Sequence, residues 1–125
     1  MRLLLDTQIV YWTYYDTSRL PQRARQLMEE ANEVFVSSAS IWEIAIKARL
    51  GKINADPHQL VQEVEASGFR ELVVQYVHAI KVADLPLHHA DPFDRLLVAQ
   101  AIREQLWLVT TDSRLPHYTD LVIHV

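Results

Sequence analysis

The sequence predicts an α/β fold built on a mostly parallel sheet, and three observations carry the prediction. Short apolar runs bounded by polar residues recur along the chain. Helical patterns lie between most of them, which is what parallel crossovers require. With 125 residues, half of them apolar, the chain is long enough to bury one core and too short for two. Residues 1–125 therefore read as a single domain, with no linker, repeat or low-complexity run to divide it.

In chain order, Leu3–Leu5 reads as the first buried strand, ended by Asp6, with a helical turn starting near Gln8. A helix over Gln22–Glu33 precedes the second strand, Val34–Val36. Ser40–Leu50 reads as a helix closed by Gly51, and Pro57–Ser67 as one closed by Gly68. Leu72–Val74 follows as a strand, then a shorter helical piece near Val77–Ala83. Pro92–Gln105 is a helix with proline at its first position, where the missing N–H costs nothing. Leu106–Val109 and Leu121–Ile123 complete the set of strands.

Composition excludes several classes of function. Without cysteine there are no disulfides, thiolate zinc sites or cysteine nucleophiles. The first residues offer three leucines before a carboxylate, too few for a signal-peptide core, and no apolar run reaches membrane length. The chain reads as soluble and cytoplasmic, with no membrane partner. Sixteen acids against 12 Lys and Arg give a net charge of -4, which disfavours wrapping duplex DNA by charge alone. A local basic strip can still steer RNA or DNA.

Chemistry in open α/β sheets gathers at the carboxyl ends of strands, where the following helices also begin with free amides. Asp6 ends the first apolar run and Asp112 ends Leu-Val-Thr-Thr-Asp. Alone, Asp6 reads as a helix cap and Asp112 as an Asx turn. Glu43 follows the second strand by about two helical turns, on a narrow polar stripe shared with Lys47. That spacing also suits an ordinary Glu–Lys pair. Asp91 caps the helix that Pro92 opens. Asp94 could complete a capping box, yet its position falls in the sector of Leu97, Val98 and Ala101, the face expected to be buried. A buried carboxylate needs a partner. Four acids from four segments at one sheet edge repel one another, and the simplest neutraliser for a sulfur-free, all-oxygen set is a hard cation, Mg²⁺ or Mn²⁺. One or two such ions suit phosphodiester hydrolysis.

These residues, in this order, resemble the PIN-domain nucleases, and among them the VapC-type toxins of toxin–antitoxin pairs. The resemblance spans nearly the whole chain: Leu-Leu-Leu-Asp-Thr at 3–7, Ser-Ile-Trp-Glu-Ile-Ala-Ile-Lys at 40–47, Leu-Gly-Lys at 50–52, His-His-Ala-Asp-Pro-Phe-Asp-Arg-Leu-Leu-Val-Ala-Gln-Ala at 88–101 and Leu-Val-Thr-Thr-Asp at 108–112. It implies a three-layer α/β/α sandwich and Mg²⁺- or Mn²⁺-dependent endoribonuclease activity, with an activated water leaving a 5′-phosphate and a 3′-hydroxyl. It also implies a cognate antitoxin and paired protomers. The acidic quartet falls on Asp6, Glu43, Asp94 and Asp112, with Asp6 and Asp94 the expected direct ligands and Asp91 beside them. Gln8 stands where such sequences often carry Asn. Thr7, Ser40 and Thr111 are expected to orient carboxylates or water, and Arg95 and Arg114 to meet phosphate.

Other readings are weaker. Adjacent histidines such as His88 and His89 do not normally converge on one zinc ion, and they are better placed to bond backbone or touch substrate. Tyr11, Trp12, Tyr14 and Tyr15 suit base stacking, a protein interface or the core. Leu60, Val61 and Val64 suit a groove for an antitoxin helix or ordinary packing. A receiver-like domain would end a middle strand in its acceptor aspartate, but Leu72–Val74 runs into Gln75. A haloacid-dehalogenase-type phosphatase would carry a carboxylate where Gln8 stands. A non-catalytic RNA- or protein-binding module of the same fold gains nothing from clustered acids, and a housekeeping RNA-processing nuclease is separated from a toxin only by its genetic neighbourhood.

Overall fold

A computed structural model describes residues 1–125 as five parallel strands with six α-helices. The elements run β1 (Arg2–Leu5), α1 (Thr7–Tyr15), α2 (Gln22–Glu30), β2 (Glu33–Ser37), α3 (Ser38–Arg49), α4 (Pro57–Ala66) and β3 (Arg70–Leu72). Then come α5 (Tyr76–Val82), α6 (Pro92–Glu104), β4 (Trp107–Thr110) and β5 (Val122–His124), with single 3₁₀ turns at Thr17–Arg19 and Leu115–His117. Every strand pairing is parallel, in the order β3-β2-β1-β4-β5. The chain builds outward from β1 on one side and then crosses to the other. The gap between the carboxyl ends of β1 and β4 is therefore the topological switch point, where such sheets bind ligands.

Alternation along β1 divides the core. Leu3 and Leu5 face a cluster with Ile9, Val10, Ile44, Leu60 and Val64, contributed by α1, α3 and α4. Leu4 faces the opposite cluster, with Leu97, Val98 and Ala101 of α6. Both faces of the sheet are thus covered, which explains why the central strands are continuous apolar runs. The result is the three-layer sandwich anticipated above. No helix is long and apolar enough to cross a membrane.

Three boundaries differ from expectation. The first long helix stops at Glu30, because Asn32 turns its amide to the Met1 carbonyl and Glu33 enters β2 opposite Arg2. The third strand is Arg70–Leu72 rather than Leu72–Val74. As an edge strand it needs little apolar character: Arg70 pairs with Glu33 and lies over the Phe35 ring, while Val73 is left exposed. The turn near Gln8 grows into a full nine-residue helix, α1. Its aromatic residues pack against the core, with Tyr11 and Tyr15 stacked at 5.3 Å. On α4, Leu60 and Val64 are core and Val61 stays at the surface.

Candidate active site

Asp6, Glu43, Asp94 and Asp112 line a single cleft of about 500 Å³ at the switch point, together with Asp91 and Lys47. The four acids Asp6, Glu43, Asp94 and Asp112 arrive on four different segments, and local structure explains each placement.

Asp6 occupies the cap position of α1 but caps nothing. Its amide is tied to the Val109 carbonyl of β4, and its Oδ2 accepts a 2.6 Å hydrogen bond from Thr110 Oγ1. The side chain is thereby turned along the sheet edge rather than back onto its own helix. Burial pushes its pKa up to about 6, against the opposing pull of Thr110. The sequence singled out Thr111; it lines the cleft, but Thr110 makes the bond to the carboxylate. Thr7 donates to Ser40 across 2.9 Å, both side chains being buried. This bond pins the start of α1 to the first turn of α3.

Glu43 lies one and a half turns into α3, which Ser37 caps through the Ala39 amide. Its Oε2 takes a 2.8 Å hydrogen bond from Lys47, so the ordinary helical pair exists. The other oxygen, Oε1, is buried with no hydrogen-bond partner. At Lys47, burial favours the neutral amine, yet the Glu43 contact outweighs it and raises the pKa.

Asp91 is a true cap, accepting from the amides of Phe93 and Asp94. Asp94 does not bond back in a capping box. Its carboxyl is pushed up to about 8, first by burial and then by the charges of Asp6, Asp91, Glu43 and Asp112. Asp112 goes the other way. Arg114 donates to it through its amide, Nε and Nη2, and holds its pKa below the usual carboxylate range. The expected Asx turn is therefore present as well.

Two expectations need revision. Arg95 is not free to meet phosphate: its guanidinium donates to the carbonyls of Val82, Leu85 and Pro86 and to Tyr118 Oη, stitching the loop after α5 to α6. Arg114 remains largely exposed, with its Nε and Nη2 donating to Asp112. The histidine pair also separates. His88 packs edge-on against Tyr118, whereas His89 turns its Nε2 to within 2.8 Å of Asp94 Oδ2 and 3.3 Å of Asp112 Oδ2. His89 bonds backbone, as expected, by accepting from the Asp91 amide, and its contacts with the two carboxylates make it a site residue as well.

Residues 3–121 match the PIN domain family model. The chain belongs to the PIN-domain family. It is 35% identical over 119 residues to Ribonuclease VapC22 of Mycobacterium tuberculosis, covering 90% of this chain and 88% of that protein. Among solved structures, FitAcB from Neisseria gonorrhoeae superposes with a TM-score of 0.71 at 18% identity, covering 100% of this chain and 97% of the other. A toxin–antitoxin complex from Klebsiella pneumoniae gives 0.67 at 19%, covering 97% and 95%. These two likenesses establish the PIN fold at low identity. The acidic cleft described above lies within the matched span.

Proposed function

We propose that this PIN domain, acting as one unit over residues 1–125, is a divalent-metal-dependent endoribonuclease and the toxin of a toxin–antitoxin pair. The observation that carries the reading is the convergence of Asp6, Glu43, Asp94 and Asp112 on one cleft at the switch point. A carboxyl held at about 8 by burial and by the charges of its neighbours, and a buried carboxylate oxygen without a partner, are both relieved by a hard cation. Asp94, Asp6 and Glu43 would hold it, as Mg²⁺ or Mn²⁺. Such an ion polarises a water and offsets charge developing at a phosphate.

The chain's own residues supply the rest. Thr110 fixes the rotamer of Asp6, and the Thr7–Ser40 bond ties the start of α1, just after Asp6, to α3, which carries Glu43. Lys47 brings a cation to the acidic cleft, suited to a phosphodiester. Tyr11 and Trp12 stand on the same cleft, where aromatic faces suit unpaired bases of RNA. The ribonuclease to which the chain is 35% identical supports the reaction class. The toxin–antitoxin complex among the structural relatives supports an antitoxin as partner. The same reading places the protein in the cytoplasm as a homodimer.

The test is cleavage of total RNA by partner-free protein with Mg²⁺, Mn²⁺ or chelator, beside Asp94→Asn. Discrete fragments that need the metal and vanish in the variant are expected. Folded protein that binds RNA but cuts under no metal would replace this reading with a binding module.

A further inference from the structure

We infer that His89 is a positioning residue that spans Asp94 and Asp112 as a hydrogen-bond donor and stays out of the ion's coordination sphere. The inference rests on the divalent-ion reading above. By distance alone the opposite role is available, since His89, Asp94 and Asp112 offer ligand atoms within 4.8 Å of one another, close enough for a mixed nitrogen and oxygen metal site.

The backbone decides between the two roles. Nδ1 of His89 accepts from the Asp91 amide at 3.4 Å. A ring nitrogen that accepts carries no proton, so the neutral imidazole has its proton on Nε2. That Nε2–H faces Asp94 Oδ2 at 2.8 Å and Asp112 Oδ2 at 3.3 Å, a donor shared by two carboxylates. Ligation through Nε2 would require that nitrogen to be bare and would move the proton to Nδ1, head-on to the Asp91 N–H. The Asp91 amide is itself held in place, because Asp91 caps α6 and Pro92 follows it. The imidazole is nearly buried, with 8% of its side-chain surface exposed, so little room exists for the ring to flip.

The consequence is a division of labour between the two acids. Asp112 receives donors on both oxygens, from Arg114 and His89. Asp94 receives one from His89 on Oδ2, and no protein group donates to its Oδ1. His89 thereby holds the two carboxyl groups side by side and leaves one Asp94 oxygen for the ion. Donors of this kind to metal-binding carboxylates typically matter 10–100-fold in affinity.

The experiment uses the full chain and Mn²⁺ as the probe, reading affinity from the spin resonance of the free ion and coordination from pulsed spin resonance of the bound ion. Glutamine carries its amide nitrogen near the place of Nε2 and keeps the donation; asparagine and alanine do not. Expected are no directly coordinated nitrogen in the wild type, binding weakened about 10–100-fold in His89→Ala and His89→Asn, and His89→Gln within about threefold of wild type. Circular dichroism confirms that each variant is folded. A coordinated-nitrogen signal that disappears in His89→Ala would make His89 a ligand and overturn the inference. Unchanged affinity in His89→Ala, or equal loss in the glutamine and alanine variants, would remove the donor role while leaving the metal site intact. Failure of the wild type to bind Mn²⁺ would refute the divalent-ion reading itself and His89's role with it.

Discussion

Asp94→Asn should make the metal-free protein more stable, and only at the pH where the site is under strain. Asp94 has its pKa raised from 3.8 to about 8, first by burial and then by Asp6, Asp91, Glu43 and Asp112. A raised carboxylate pKa means that the folded state holds a proton the unfolded chain has already lost. Its contribution is favourable below the unfolded pKa, declines as pH climbs, and is gone once pH passes the folded pKa. At ~1.4 kcal/mol for each tenfold change in proton affinity, the full effect is ~6 kcal/mol. Partial exposure of the carboxylate screens this to ~2–3 kcal/mol. Asparagine keeps the shape and the acceptor for His89 but carries no charge. In urea titrations with chelator, Asp94→Asn should match wild type near pH ~4 and exceed it by ~2–3 kcal/mol near pH ~9. Saturating Mn²⁺ should reverse the order, because only the wild type gains the ion's binding energy. A difference between the two proteins that does not change with pH would refute the account of a charge-strained cleft.

Other perturbations separate the roles of neighbouring residues. Thr110→Val removes the 2.6 Å bond to a buried carboxylate; stability should fall by ~1.5–3 kcal/mol above pH ~7 in denaturant titrations, and the Asp6 pKa, followed by carbon NMR, should rise beyond about 6. No change in either would mean that Thr110 does not orient Asp6. Arg95→Lys sacrifices the planar fork that serves the Val82, Leu85 and Pro86 carbonyls. It should lower stability by ~2 kcal/mol, whereas weaker RNA binding at unchanged stability would restore Arg95 as a phosphate contact. Glu43→Gln discharges the buried oxygen that has no partner. Calorimetric affinity for Mg²⁺ or Mn²⁺ should fall at least about tenfold, and an undiminished affinity would remove Glu43 from the ion-binding set.

Much of this site was legible because the fold class dictates where to look. Asp6 and Asp112 follow apolar runs that could only be internal strands, and Asp94 sits on the apolar face of its own helix. All of them line the cleft. What escaped depended on side-chain direction and on partners distant in sequence. Thr110 ends β4 and Thr111 lies just beyond it, so only the β1–β4 register reveals that Thr110 is the one that meets Asp6. His89 and His88 lie in a loop with no periodicity, and which ring turns toward Asp94 is set by the Asp91 cap. Arg95 looked available because its acceptors, the carbonyls that end α5 and begin the loop after it, lie 10 and 13 residues away in sequence. At the sheet edge, Arg70–Leu72 pairs through its backbone, and the apolar run beginning at Leu72 misled by two residues.

The most direct measurement is calorimetric titration of the metal-free protein with Mn²⁺ in buffers of different ionisation enthalpy. With carboxyls at about 8 for Asp94 and about 6 for Asp6, binding near pH ~7 should expel about one proton, chiefly from Asp94, and none above pH ~9.5. Asp94→Asn should abolish the release and most of the affinity. Binding with no proton release near neutrality, or no binding at all, would contradict the claim that these clustered carboxylates are built to receive a cation.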